Sequence, residues 1–103
     1  MYDVIIVGGG PAGIFSALEL TKAGMKVVII EKGRPIEKRH CPQAELQKCV
    51  RCKPCDIMCG WGGAGAFSDG KLTLTTEYGG WLDEYLPKAD VLKMIHYADE
   101  QYI

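Results

Sequence analysis

One turn constrains this chain more than any other feature: the run Gly8-Gly9-Gly10-Pro11-Ala12-Gly13, set between an apolar stretch and a helical pattern. Gly8, Gly10 and Gly13 fit G-x-G-x-x-G, which alone is a weak signal because glycine-rich turns are common. Its surroundings strengthen it. Tyr2 to Val7 reads as a strand, the residues after Gly13 as a helix, Lys26 to Ile30 as a second strand, and Glu31 follows as a terminal acid. A strand, a glycine turn, a helix and a second strand ending in an acid make the fingerprint of a bound dinucleotide. The predicted class is α/β, a Rossmann-like βαβ unit.

Each residue type in that unit has a physical task. The unbroken β-branched run Val4 to Val7 predicts a strand covered by helices on both faces. Gly8 supplies backbone angles that a Cβ would forbid, Gly10 lets the backbone approach a pyrophosphate, and Gly13 lets helix and strand pack closely. Pro11 suits the first helical position, where its missing N–H costs nothing. With Ala12 it opens a helix whose free N–H groups and positive dipole end face the phosphates. Ile14, Ala17, Leu18 and Thr21 recur as a core-facing stripe, and Gly24 after Ala23 stops the helix. Glu31, with Lys32 beside it, emerges where the ribose of an adenosine half would lie. A carboxylate there accepts from the ribose hydroxyls and repels a 2′-phosphate, which argues against NADP.

At 103 residues and a formal net charge of −1, the chain reads as one small domain at most, with no electrostatic case for nucleic acid or an anionic membrane surface. Val4-Ile5-Ile6-Val7 and Val27-Val28-Ile29-Ile30 are too short to span a bilayer. No signal peptide is read at the amino terminus, and the expected location is cytoplasmic. A complete dinucleotide-binding half needs about three strands, and only two are legible. We therefore expect residues 1–103 to be the amino-terminal portion of an FAD/NAD(P)-type domain, incomplete as it stands and dependent on further chain or a partner subunit.

From Lys32 to Lys53 the pattern turns polar. Arg34 to His40 reads as an exposed loop or short helix with a solvated basic surface, and His40 and His96 stand as lone histidines without a catalytic role. Five cysteines point to metal or redox chemistry rather than a disulfide framework in such a compartment. Cys49, Cys52, Cys55 and Cys59 give C-x2-C-x2-C-x3-C, the spacing of bacterial iron–sulfur ferredoxins, although Gly60 stands where proline is usual. In that pattern the fourth cysteine commonly serves a second cluster, so three ligands completed by Cys41 or Cys59 are a further arrangement. A tetrahedral zinc site is equally feasible by count, and Cys52 with Cys55 could act as a thiol–disulfide pair. Cysteines without any chemistry are the bland alternative.

Next comes Gly60-Trp61-Gly62-Gly63-Ala64-Gly65-Ala66-Phe67-Ser68-Asp69-Gly70-Lys71-Leu72, a loop able to lie against a flat ligand. As backbone it reads as a loop followed by a hairpin, with Asp69-Gly70 as the turn and Leu72 to Thr76 as the return strand. After Pro87 a helix is expected from about Asp90, its N-cap, with Val91, Ile95, Ala98 and Tyr102 along one face.

With both glycine motifs in hand, the chain resembles the FAD-dependent oxidoreductases that have a glutathione-reductase-type FAD domain. Val7 to Gly13 and Glu31-Lys32-Gly33 match that superfamily's amino-terminal signature. Gly62 to Leu72 reads GGAGAFSDGKL, which is similar to a prokaryotic group of FAD-dependent dehydrogenases. The resemblance implies FAD as cofactor, with Gly62, Gly63 and Ser68 contacting it from the second loop. Many such relatives carry an arginine after their Gly-Gly pair, where this chain has Ala64 and Gly65. The resemblance covers almost the whole chain but only the front of the family's domain. No catalytic residue is read here, and the implied partners are FAD and a small-molecule substrate or electron carrier. Three alternatives stand beside this reading: an NAD-only Rossmann protein, a cysteine-rich iron–sulfur or zinc electron-transfer module, and a truncated inactive fragment.

Overall fold

A computed structural model of the chain describes residues 1–102. It divides into two compact units, one from Met1 to Ser68 and one beginning at Asp69.

The first unit starts with strand β1 (Val4–Val7), helix α1 (Pro11–Lys22) and strand β2 (Val27–Ile30). β1 and β2 pair in parallel, with Val4 opposite Val27 and Val7 opposite Ile30. Parallel neighbours need a crossover, and α1 is that crossover. Both strands are shorter than the hydrophobic pattern predicts, because Tyr2 and Lys26 fall outside them. Asp3 still closes the open end: its N–H donates to Lys26 O at 2.8 Å, and its carboxylate accepts from Lys26 N–H at 2.7 Å.

α1 carries Ile14, Ala17 and Leu18 half-buried, whereas Thr21 is exposed. Its hydroxyl donates back to Ala17 O and Leu18 O at 2.8 and 3.0 Å. The helix stops as expected, with Gly24 at φ +82° beyond Ala23. The expectation of a strand covered on both faces is not met: Ile5 is 61% and Val7 84% exposed. α1 packs on the sheet. Alternating side chains point to opposite faces, so Val4 and Ile6 are half-buried while Ile5 and Val7 face outward.

Beyond β2 the unit is mostly loop, with a 3-10 turn at Ile36–Lys38, a short helix α2 (Gln43–Leu46) and a 3-10 turn at Gly63–Phe67.

In the second unit, the Asp69-Gly70 hairpin is absent, and no strand forms among the described residues between Leu72 and Thr76. The threonines supply β-propensity but no partner edge, and a strand needs pairing to persist. Asp69 instead accepts from Lys71 N–H at 3.2 Å, a local turn in which Gly70 takes φ +74°. A 3-10 turn at Leu82–Glu84 packs against helix α3 (Lys88–Gln101). Asp90 is not the N-cap. Pro87 holds that position and Asp90 sits in the first turn, where a carboxylate still meets the positive end of the dipole. Val91 is buried, Ile95 and Ala98 are half-buried, and Tyr102 lies past the helix end and is exposed.

Candidate functional site

The glycine turn is a continuation of the sheet. Gly8 N–H donates to Ile30 O at 2.8 Å, and Gly8 then leaves the ladder at φ +112°. The first helical bond is Ile14 N–H to Gly10 O at 3.0 Å, and no side chain caps the helix. Pro11 has no N–H. The amides of Ala12 and Gly13 therefore precede the first helical bond and face the position an anion would take.

The three fingerprint glycines differ in what the chain itself requires of them. Gly8 is required by its positive φ. A Cβ on Gly13 would run into the carbonyl oxygen of Gly8, so this glycine sets the approach of helix to strand. Gly10 is different: its backbone is extended (φ −81°, ψ −178°), and the nearest atom to an added Cβ would be Gly63 Cα, 4.0 Å away. Nothing inside the chain demands glycine there.

Glu31, expected to face a ribose, is first of all a clamp. Its Oε2 accepts from Gly9 N–H at 2.7 Å, while Oε1 accepts from Gly33 N–H at 2.8 Å and Gly60 N–H at 3.1 Å. One carboxylate thus ties the first glycine turn, the end of β2 and the start of the second glycine stretch. These donors, Gly9 foremost, hold its pKa below the ordinary 4.5 against the opposing effect of burial. A carboxylate offers about four acceptor positions, so room for a further donor remains.

Arg39 is the residue that sequence reasoning missed. It belongs to a stretch expected to be a solvated basic surface, yet it is 7% exposed. Its Nε donates to Asp56 O at 2.8 Å and its Nη2 to Ile57 O at 2.7 Å. Its Nη1 donates to Trp61 O and Gly63 O at 2.7 and 2.8 Å. The guanidinium also stands over the Phe67 ring, 4.7 Å from its centroid. Five donors in a rigid fork make arginine suited to gathering carbonyls from an irregular chain. A single arginine between a proline-punctuated segment and a cysteine run carries no sequence signal for this.

Through Arg39 and Glu31 the second glycine stretch is brought onto the first. Gly62 N–H donates to Gly9 O at 2.8 Å, and Trp61 N–H to Arg34 O at 3.0 Å. Together they border a cavity of ≈ 450 Å³ whose lining includes Gly8, Gly10, Glu31, Lys32, Cys59 and Gly63. Gly62 and Ser68 are outside that lining. Ser68 ends the 3-10 turn, its N–H donating to Gly65 O at 3.1 Å.

Cys41, Cys49, Cys52, Cys55 and Cys59 are all free thiols. Among the described residues, no three His, Cys, Asp or Glu side chains converge so as to hold a metal ion. His40 is exposed and pairs through Nε2 with Glu45 Oε1 at 3.1 Å. No helix among the described residues is long and apolar enough to cross a membrane.

Comparison with known proteins agrees with this geometry. Residues 1–50 match the family model described as FAD binding domain. A Clostridium beijerinckii protein described as uncharacterized is 46% identical over 70 residues, 67% of this chain and 13% of its own length. The soluble pyridine nucleotide transhydrogenase of Vibrio parahaemolyticus is 58% identical over 31 residues, 30% of this chain and 7% of its own length. The (S)-6-hydroxynicotine oxidase of Paenarthrobacter nicotinovorans is 49% identical over 39 residues, 38% of this chain and 9% of its own length. The chain thus spans at most 13% of the length of these relatives. No solved structure matches it. FAD is the cofactor of this unit, and the residues present fit it: a glycine where an added Cβ would meet nothing closer than 4.0 Å, a helix start without a side-chain cap, and an acid at the end of β2 held below its ordinary pKa.

Proposed function

We propose that the chain is the FAD-binding amino-terminal portion of a flavin-dependent oxidoreductase of the glutathione-reductase-like kind, acting as a dehydrogenase on a small-molecule substrate. Gly10 carries this reading, because its missing side chain serves nothing within the chain. Gly8, Pro11, Ala12 and Gly13 shape the cradle for the pyrophosphate. Glu31 offers its remaining acceptor position to the ribose hydroxyls, and Lys32 lies beside it on the same cavity. Gly62, Gly63 and Ser68 belong to the second loop, which Arg39 and Glu31 hold against the first. FAD, when bound, supplies the hydride or electron chemistry, and the chain's own residues bind and orient it. The redox functions for which the transhydrogenase and the oxidase are named support the oxidoreductase class.

The test is Gly10→Val in the full-length protein. The Cβ meets nothing closer than Gly63 Cα at 4.0 Å, an ordinary contact, whereas the branched side chain crowds the pyrophosphate. We expect the thermal midpoint without added FAD to be unchanged, and FAD affinity to fall about tenfold or more, ~1.4 kcal/mol. Unaltered FAD affinity in that variant would remove the proposed site.

A further inference from the structure

Cys52-Lys53-Pro54-Cys55 is a C-x-x-C segment that the cofactor cavity does not include. Its two thiols are placed unequally: Cys52 is exposed, whereas Cys55 is half-buried. The half-buried one is also the anchored one. Cys55 O accepts from Cys59 N–H at 2.8 Å, and the next two carbonyls, of Asp56 and Ile57, are held by Arg39 at 2.8 and 2.7 Å. Both cysteines border a cavity of ≈ 160 Å³ apart from the one at the glycine turn, and Asp56 borders it with them. Asp56 is 5% exposed, and its Oδ2 is engaged by Arg34 Nη1 at 3.2 Å and His40 N–H at 3.4 Å. Its Oδ1 is buried without any hydrogen-bond partner. An unpaired buried acceptor costs free energy unless a donor meets it, and a neutral thiol is such a donor.

We propose that Cys52 and Cys55 form a thiol–disulfide exchange centre that reduces a small anionic disulfide, independently of the FAD site. Exchange needs an accessible sulfur to attack and a second sulfur nearby to resolve the product. Exposed Cys52 and anchored Cys55 meet those needs in that order. In the first step the Cys52 thiolate attacks one sulfur of the disulfide, its S–S bond breaks, and one thiolate leaves. In the second, Cys55 gives its proton to Asp56 Oδ1 and attacks Cys52 Sγ, and the other thiol leaves carrying that proton. The dithiol loses two electrons and the disulfide gains them, so no further reductant enters. Cys55 meets Asp56 as a neutral thiol, and the acid is neutral once the thiolate exists, so no like-charge pair forms. Oδ1 lies out of reach of any thiol here, but no helix or strand restrains the chain from Gln47 to Gly62. Catalytic hydrogen bonds commonly tighten once substrate is bound. Lys48, Arg51 and Lys53 are exposed next to Cys49 and Cys52 and attract an anionic substrate to the loop. Cys49 has the same spacing from Cys52, but it is exposed as well, which leaves that pair without a sheltered resolving thiol.

The full-length protein is treated with a thiol reductant, freed of it and given glutathione disulfide, and the cysteine products are mapped by mass spectrometry of alkylated peptides. We expect an internal disulfide between Cys52 and Cys55 and release of both glutathione halves. Cys55→Ser should stop with glutathione held on Cys52, and Cys52→Ser should slow glutathione release by about tenfold or more. Asp56→Asn should slow only the resolution of the mixed disulfide and leave the attack by Cys52 unchanged, whereas a general effect on the fold would change both steps. Cys41→Ser and Cys49→Ser are expected to behave as wild type. The FAD content of the same samples reports on the other cavity, so failure of the FAD reading would be seen separately. Should Asp56→Asn not fold, the glutathione trapped by Cys55→Ser still decides. A disulfide mapped to Cys49 or Cys41, glutathione trapped on another cysteine in Cys55→Ser, or exchange no faster than in the urea-unfolded chain overturns the proposal. Resolution at the wild-type rate in folded Asp56→Asn overturns the part given to Asp56.

Discussion

At Arg39 one guanidinium collects four carbonyl oxygens from residues 17 to 24 positions further along the chain. Removing it leaves those carbonyls in a largely enclosed space without their donors. Arg39→Ala is expected to destabilise the first unit by on the order of 3 kcal/mol and to weaken FAD binding, read by chemical unfolding and by equilibrium dialysis. Arg39→Lys should recover only part of both, because an ammonium lacks the planar fork. Glu31 makes the complementary tie with an acceptor. Its folded pKa is lowered, so the stability it contributes is fully present above the ordinary value of 4.5 and is lost as pH falls through the lowered folded value. The difference in thermal midpoint between wild type and Glu31→Gln should therefore be largest above pH 4.5 and shrink in more acid buffer. A constant difference across that range would exclude the clamp. Glu31 was legible in the sequence as the acid that ends β2 because that placing is local. Its grip on Gly9 and Gly60 was not, because those partners come from 22 and 29 positions away.

Among the elements, the βαβ unit was read almost in full, since turn chemistry and apolar periodicity are properties of neighbouring residues. Gly13 tests the packing inside it. A Cβ there meets the Gly8 carbonyl, which is backbone and cannot swing away. Gly13→Ala should thus lower stability by about 1–3 kcal/mol, as overpacking does, with loss of FAD following loss of fold. Gly10→Val should do the reverse, affecting affinity without stability, and the pair of thermal melts separates a packing glycine from a ligand glycine. Other elements were misread for a common reason. The strand at Leu72 to Thr76 fails because propensity finds no partner edge, and Ile5 and Val7 are exposed because one helix covers one face. Both outcomes depend on what lies opposite, which a linear pattern does not contain. The α3 boundary moved by two residues, from Asp90 to Lys88, because proline set the cap.

Over the whole molecule, the described residues form two compact units, and the cavity bordered by both glycine stretches lies in the first. Sequence alone determined the βαβ unit, the dinucleotide fingerprint and the cofactor class, because each rests on residue types at short, fixed separations. Only the tertiary structure decided which glycine packing requires, that Arg39 is a buried hub, and that Glu31 clamps three segments. The opening turn therefore emerges with its parts distinguished: Gly8 for the bend, Gly13 for packing, and Gly10 with no internal contact that requires glycine. The physical reason is the same throughout. Local backbone preference is written in neighbouring residues, whereas burial and hydrogen-bond partnership arise only when distant segments of the chain are brought together.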